Sequence, residues 1–221
     1  MNTSYLFKCL LFFSLVTIFI NCGDKEEKKT SVITEIFEIK GADEDFAAGN
    51  LKFMESENLV GKLKKERVIY NPDQSIKGKE VYHYVENGKR PKGSSYYGPE
   101  GNILSTYQYY YQDSLLARKE AFEGESEELL RIEAYQYNPK GFMIRKVIYD
   151  GQNNRDRTYI FGHDEFGNEI SMMVKDKDDN QLFTESYEIT KKDDKNRWTE
   201  KYGYKNGEKK PMTYYKRSRN D

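Results

Sequence analysis

Residues 141–180 read GFMIRKVIYDGQNNRDRTYIFGHDEFGNEISMMVKDKDDN, and turn-forming residues recur in them at Gly141, Asn154, Gly167 and Asn180, 13 residues apart. The runs between these turns are rich in Tyr, Ile, Val, Thr and Phe, a composition that favours β-strands. A spacing of 13 residues accommodates one strand of about seven or eight residues and a turn of about five. Short connections of this kind predict an antiparallel meander.

The same spacing continues outward in both directions. Turn signals fall at Gly61, Gln74, Gly88, Gly101, Ser114, Glu127, Gly141, Asn154, Gly167, Asn180, Asn196 and Gly207. Strands are predicted at residues 103–111, 142–149, 157–161, 169–174, 182–190 and 198–204. Because no long window carries an apolar stripe of helical period, the pattern argues against a helix-rich fold. We therefore predict an all-β protein, a long antiparallel β-meander repeat that follows an N-terminal signal helix.

The predicted strands do not have one clean apolar face. In residues 142–149, one face carries Ile144 and Lys146 and the other carries Arg145 and Val147. A sandwich requires a consistently apolar inner face, and a membrane-spanning barrel requires an uncharged lipid-facing row. The pattern instead favours a curled, partly single-layer sheet, which could be open or closed. Residues 41–58 are the least regular and allow a loop or a short helix at 45–48.

The turns carry a recurring motif. Residues 163–170 read HDEFGNEI, in which Asp164 precedes two further residues and then Gly167-Asn168. Residues 97–102, YGPEGN, carry a shorter version. This pattern, over residues 137–201 above all, resembles the YD-type (RHS-like) repeats of bacterial envelope lipoproteins. The resemblance implies a β-repeat fold and is nearly silent on function.

An apolar leader precedes the repeats. Residues 9–20 read CLLFFSLVTIFI and follow Lys8, the layout of a secretory signal peptide. The leader ends in Phe19-Ile20-Asn21-Cys22-Gly23, which resembles a bacterial lipobox in the relaxed form of spirochaete lipoproteins. We expect cleavage before Cys22 and acylation of Cys22, palmitate included. An uncleaved anchor and a plain signal peptide are the alternatives.

Acylated Cys22 would bind the lipid bilayer of the cell envelope, most naturally the outer membrane. Each buried methylene contributes about 0.8 kcal/mol, and several chains together give long-lived attachment. The following residues, GDKEEKK at 23–29, predict a solvated tether with a reach of roughly 25 Å, although a surface-helix start is an alternative. The expected organisation is a signal peptide at 1–21, a lipidated cysteine and tether at 22–30, and one β-repeat domain at 31–221.

Composition and cysteine usage limit the chemistry. The 36 basic and 37 acidic residues nearly cancel, which argues against a nucleic-acid partner. The two cysteines, Cys9 and Cys22, leave one in the mature chain, so neither a disulfide framework nor a cysteine-based zinc site can form. The acidic run at 176–180, DKDDN, lacks the later EF-hand ligands and reads as a polar hairpin turn. We expect no metal and no cofactor.

No catalytic constellation is apparent. His83 and His163 fall in different repeats, and no GxSxG, HExxH or phosphate-loop motif is present. Paired carboxylates of the glycosidase type remain open. We expect a protein without catalytic residues.

The tyrosines offer the clearest binding potential. Tyr107, Tyr109 and Tyr111 alternate along one predicted strand, and aromatic side chains are common at recognition surfaces. The alternative is that these rings pack the sheet itself. The sequence predicts a membrane-anchored module that displays its repeats to a protein or glycan ligand. A structural envelope lipoprotein without a dedicated ligand is the second reading, and an enzyme is the third.

Overall fold

The computed structural model describes residues 28–40, 47–85 and 88–220, and these form an all-β protein. Its strands are β1 (Lys29–Lys40), β2 (Ala47–Val60), β3 (Leu63–Tyr70), β4 (Ile76–Tyr84), β5 (Pro91–Tyr97), β6 (Ile103–Gln112), β7 (Leu115–Glu123), β8 (Leu129–Tyr137), β9 (Met143–Asp150), β10 (Arg155–His163), β11 (Glu169–Lys175), β12 (Gln181–Lys192), β13 (Trp198–Lys205) and β14 (Thr213–Asn220). The strands expected from sequence differ from these by at most two residues at either end. The predicted all-β meander is confirmed.

Every strand pairs antiparallel with its neighbours in sequence, and β1 also pairs with β14, so the sheet closes into a barrel. The closing pair runs in continuous register from Ser31↔Asn220 to Glu38↔Thr213. The curled single-layer sheet expected from sequence is thus present. The strand pattern did not decide whether this sheet is open or closed, and the pairing of β1 with β14 closes it. Barrel diameter grows with the number of strands, and in small barrels the side chains of the wall fill the interior. This barrel has fourteen strands, so its interior is wider than that.

Seven turns share one hairpin geometry, and the recurring sequence motif encodes it. In residues 138–142, Gly141 donates its N–H to the Asn138 carbonyl, and Asn138 donates to the Phe142 carbonyl. The fourth residue of each such turn has a positive φ, 82° at Gly141 and 86° at Gly167, which glycine and asparagine tolerate best. The seven turns span residues 71–75, 98–102, 138–142, 150–154, 164–168, 176–180 and 193–197.

In five of these turns, the side chain of the first residue accepts backbone N–H groups of its own turn; these residues are Asn138, Asp150, Asp164, Asp176 and Asp193. In residues 176–180, Asp176 Oδ1 accepts the backbone N–H groups of Asp178 and Asn180, each at 2.9 Å. The carboxylate therefore accepts hydrogen bonds from the backbone of its own turn, as in an Asx turn. The acidic run is the hairpin turn expected from sequence.

Two local expectations need correction. Residues 47–58, which include the end of the suggested helix, belong to strand β2, because they pair with β1 along most of their length; residues 41–46 lie outside the described residues. Strand β1 begins at Lys29, so the barrel takes two residues that were expected in the tether.

One face of the sheet is the inner face of the barrel. Nζ of Lys119 on β7 lies 3.8 Å from Oε1 of Glu80 on β4. Strands β5 and β6 separate the two, so their side chains meet only where the sheet curves toward itself. We call this surface the concave face, and the cross-strand register assigns its residues on the other strands.

Burial is shared between both faces of the single layer. Val174 on the concave face is 1% exposed, and Thr158 on the convex face is also 1% exposed. Residues this small are readily covered by longer neighbouring side chains, such as the stems of Lys and Arg. The convex face carries charged side chains on several strands, among them Lys79, Glu120 and Arg145.

Alternation of strand direction divides the turns between two rims. The rim where β1 begins, which we call the tether rim, also holds the β4–β5, β6–β7, β8–β9, β10–β11 and β12–β13 turns. The opposite rim holds the turns at residues 71–75, 98–102, 150–154 and 176–180. Within the described ranges, no helix has the length and apolarity that crossing a membrane requires.

Candidate functional site

The three tyrosines singled out from sequence lie on the concave face of β6. Tyr107, Tyr109 and Tyr111 are each only half-buried, so part of each ring remains open to the barrel interior. Their neighbour Tyr110 points to the convex face and is 44% exposed. Period-two alternation therefore separates three inward rings from one outward ring. Whether they bind a partner stays a prediction.

Tyr109 reaches a buried carboxylate, Glu80, at the centre of a polar cluster. The Tyr109 hydroxyl donates to Glu80 Oε1 at 3.0 Å and lies 2.7 Å from the Ser94 hydroxyl. Ser94 donates to the same carboxylate oxygen at 2.6 Å. The Glu80 cluster, as we call it, consists of Arg67, Glu80, Tyr82, Ser94, Tyr109 and Lys119.

Two cations neutralise Glu80, whose side chain is 3% exposed. Arg67 Nη2 lies 3.0 Å from its Oε2, and Lys119 Nζ lies 3.8 Å from its Oε1. Burial alone would raise the pKa of Glu80, but Lys119, the Ser94 hydroxyl and Arg67 outweigh burial and lower this pKa. Burial also lowers the pKa of Lys119, against the attraction of Glu80 and Glu133. Buried charges are tolerated when they are paired in this way.

The cluster continues along the concave face to β8. Glu133 accepts a hydrogen bond from the Tyr135 hydroxyl at 2.6 Å and pairs with Arg131 at 2.9 Å. Lys119 also lies 3.9 Å from the centroid of the Tyr107 ring, within reach of a cation–π interaction. The first two predicted tyrosines are therefore held by a network of alternating charges.

Tyr111 belongs to a different arrangement, near the tether rim. Its hydroxyl donates to the Pro91 carbonyl at 2.9 Å, and Arg90 lies over its ring at 5.6 Å. Tyr84 and Tyr137 occupy equivalent places on β4 and β8, where they donate to the carbonyls of Lys64 and Leu116. These hydroxyls satisfy carbonyls on neighbouring strands, which supports a packing role for this row.

A second cluster forms on the far side of the barrel around Lys201. This side chain on β13 is 5% exposed, and Nζ lies 3.5 Å from the Tyr187 centroid and 4.9 Å from the centroids of Trp198 and Tyr215. Burial outweighs the attraction of Glu169 and Glu185 and lowers the pKa of Lys201 to about 8. Tyr215 in turn donates to Glu185 at 2.8 Å.

Lys201 gives the barrel a pH-dependent stability. Its pKa is about 8 when folded and about 10.4 when unfolded, so the unfolded chain binds more protons between these values and stability rises with pH. We expect the free energy of unfolding to increase by about 2 kcal/mol from pH 7.5 to 9.5. Chemical denaturation at each pH measures this increase, and Lys201→Met should remove it. An equal rise in that variant would contradict the assignment to Lys201.

The other residues considered from sequence do not form a common site. His83 on β4 lies 2.9 Å from the Ser95 hydroxyl, whereas His163 at the end of β10 stacks on Phe142. In the part of the chain that the structure describes, no group of three or more His, Cys, Asp or Glu could hold a metal ion. Cys22 and the signal peptide lie outside the described residues, so lipidation stays a prediction.

Sequence reasoning missed the charged residues of the concave face. Glu80, Lys119 and Glu133 stand at inward positions of β4, β7 and β8. Part of their signal was present in the sequence, since Glu80 and Glu133 share a face with tyrosines at period two, whereas Lys119 alternates with Ala117 and Ala121. Without the register, however, nothing indicated that the three strands place them against one another.

No family model and no curated protein matches the chain. Among solved structures, a porin-like protein from Bacteroides uniformis is 12% identical with a TM-score of 0.35, over 79% of this chain and 55% of that one. The Photorhabdus luminescens Tc holotoxin pore is 13% identical with a TM-score of 0.31, over 79% of this chain and 10% of that one. The chain thus spans about half of the first structure and a tenth of the second. Similarity at this level carries no functional information.

Proposed function

We propose that this chain is a lipid-anchored protein of the bacterial cell envelope that binds a protein or glycan partner through the concave face of its barrel. The carrying observation is the set of half-buried rings on β6, which lie beside charged groups held in place by neighbouring strands. Aromatic rings beside fixed polar groups are the usual components of recognition sites. The proposal includes no catalytic step.

The position of β1 supports anchoring at one rim. The tether expected from Cys22 onward would leave the barrel at Lys29, where β1 begins. The tether rim would then face the bilayer, and the opposite rim, with acidic residues such as Glu100, Glu127 and Asp178, would face away from it. An acidic rim is repelled by anionic lipid surfaces, which favours this orientation.

One hydrogen-bond donor in the Glu80 cluster is left unsatisfied. Nε of Arg67 is buried and has no hydrogen-bond partner within the described residues. An unsatisfied buried donor costs free energy, and a ligand acceptor would recover it. The donor thus supports a polar rather than a purely apolar partner.

Substitution of the tyrosines tests the proposal. In glycan-array and peptide-array binding with full-length protein in detergent, we expect Tyr109→Ala and Tyr111→Ala each to weaken any selective binding about tenfold or more, as central aromatic contacts do. Tyr110→Ala is the matched control, since that ring lies outside the barrel and is 44% exposed. Thermal melting establishes which variants remain folded. Equal binding by folded Tyr109→Ala, Tyr110→Ala and wild-type protein would exclude the concave face.

A structural role without a ligand is the second candidate, and the hydroxyl partners of the tyrosines favour it. Tyr109 bonds to Glu80 and Tyr111 bonds to Pro91 within the barrel, so the rings also serve packing. This candidate predicts an envelope-integrity defect on deletion and no cleavage of the protein when intact cells are treated with protease. Cleavage on intact cells would support display instead.

A further inference from the structure

A cavity of about 300 Å³ opens at the tether rim, on strands other than those that carry the Glu80 cluster. Strands β1, β13 and β14 form it, and its walls include Trp198, Thr199, Arg217, Ser218 and Arg219. The volume is at the lower end of small-molecule sites. An aromatic ring, three guanidinium groups and two hydroxyls thus line one open cavity.

The cavity carries excess positive charge. Asp193, the acidic residue in its wall, is held by Arg197 through Nε at 2.7 Å and Nη2 at 2.5 Å. Arg217 has no carboxylate within ion-pair distance among the described residues, although its charge acts on Glu55 from further away; its guanidinium lies 5.6 Å from the Trp198 ring. Guanidinium groups that face a cavity bind carboxylate or phosphate with two parallel hydrogen bonds.

The wall that carries Trp198 is preorganised by the neighbouring turn. Asn168, 6% exposed, accepts the Trp198 backbone N–H at 3.0 Å and donates to the Asn196 carbonyl at 2.9 Å. These bonds join the β10–β11 turn to the β12–β13 turn. A wall held in this way loses little conformational entropy when a ligand binds.

We propose that this cavity binds a small sugar acid, with the sugar ring against Trp198, the carboxylate on Arg217 and the ring hydroxyls toward Thr199 and Ser218. A flat aromatic face suits the apolar face of a pyranose ring, and a guanidinium suits its carboxylate. The site lies apart from the tyrosines of β6, so it goes beyond the proposed function and does not depend on it.

Trp198 reports on the site directly, because it is the one tryptophan of the chain. Full-length protein in detergent is titrated with glucuronate, and its fluorescence should change saturably. Glucose and glucuronamide have similar rings without the carboxylate, and should bind at least tenfold more weakly. Added salt should weaken glucuronate binding, since the attraction is electrostatic.

Variants separate this site from the rest of the barrel. Arg217→Gln should weaken glucuronate binding at least tenfold, whereas Arg157→Gln, whose side chain is 52% exposed, should leave it unchanged. Tyr109→Ala should also leave it unchanged, so loss of partner binding and loss of sugar-acid binding are distinguishable. The inference is overturned by no saturable response to glucuronate, by equal binding of glucuronamide, or by equally tight binding of inorganic phosphate. The comparison of glucuronate with glucose and glucuronamide uses the wild-type protein, so it tests the proposal even if Arg217→Gln fails to fold.

Discussion

Glu80→Gln is expected to lower the free energy of unfolding by about 3–5 kcal/mol, the usual consequence of removing one partner of a buried ion pair. The substitution keeps the shape of the side chain but leaves Arg67 and Lys119 facing a neutral amide at 3.0 and 3.8 Å. Since domains of this size are stable by about 5–15 kcal/mol, the loss is a large fraction of the total. Urea unfolding followed by Trp198 fluorescence measures it.

Two further variants identify the cause. Glu100→Gln, in an exposed turn, should change stability by no more than about 0.5 kcal/mol. Adding Lys119→Met to Glu80→Gln should recover part of the loss, because one unpaired cation is removed as well. If Glu80→Gln is as stable as Glu100→Gln, the Glu80 cluster does not stabilise the barrel.

The same cluster predicts sensitivity to acid. The pKa of Glu80 is lower in the folded barrel than in the unfolded chain. Its stabilising contribution is therefore complete above the unfolded pKa of about 4.3 and decreases as pH falls below that value through the folded pKa. Part of the acid-induced loss of stability should be missing in Glu80→Gln.

Cys22→Ala is expected to abolish acylation and to move the protein out of the membrane fraction. Several acyl chains hold a protein in a bilayer for long periods, and Cys22→Ala removes the group that would carry them. Metabolic labelling with a radioactive or clickable palmitate analogue, followed by membrane sedimentation, measures both effects. Label should fall to background, and membrane-bound protein should fall at least tenfold.

The chain offers a matched control for this experiment. Cys9 is the other cysteine and lies within the apolar run of the leader, so Cys9→Ala should retain label and membrane attachment. Persistent labelling of Cys22→Ala, or wild-type protein of uncleaved mass, would contradict lipidation at this position.

The regular spacing of strands and turns could be predicted from the sequence because it depends on local interactions. Gly141 and Gly167 adopt positive φ, and Asp164 and Asp176 accept backbone N–H groups of their own turns. These are properties of residues a few positions apart, so a motif encodes them without knowledge of the remaining fold. Strand composition between the turns is equally local, which explains why strand order and approximate bounds followed from the sequence.

Closure and the interior site depended on contacts that no local pattern encodes. Strands β1 and β14 pair with each other although they are the first and last strands in sequence. Strands β4 and β7 bring Glu80 and Lys119 together only through the curvature of the barrel. Period-two alternation shows which residues share a face, but not which face is concave or which charges meet there. The sequence by itself therefore determined the meander, its turns and the alternation of Tyr107, Tyr109 and Tyr111. Tertiary structure alone decided the closed barrel, the paired charges and the Trp198 cavity, because these require strands far apart in sequence to curve toward one another.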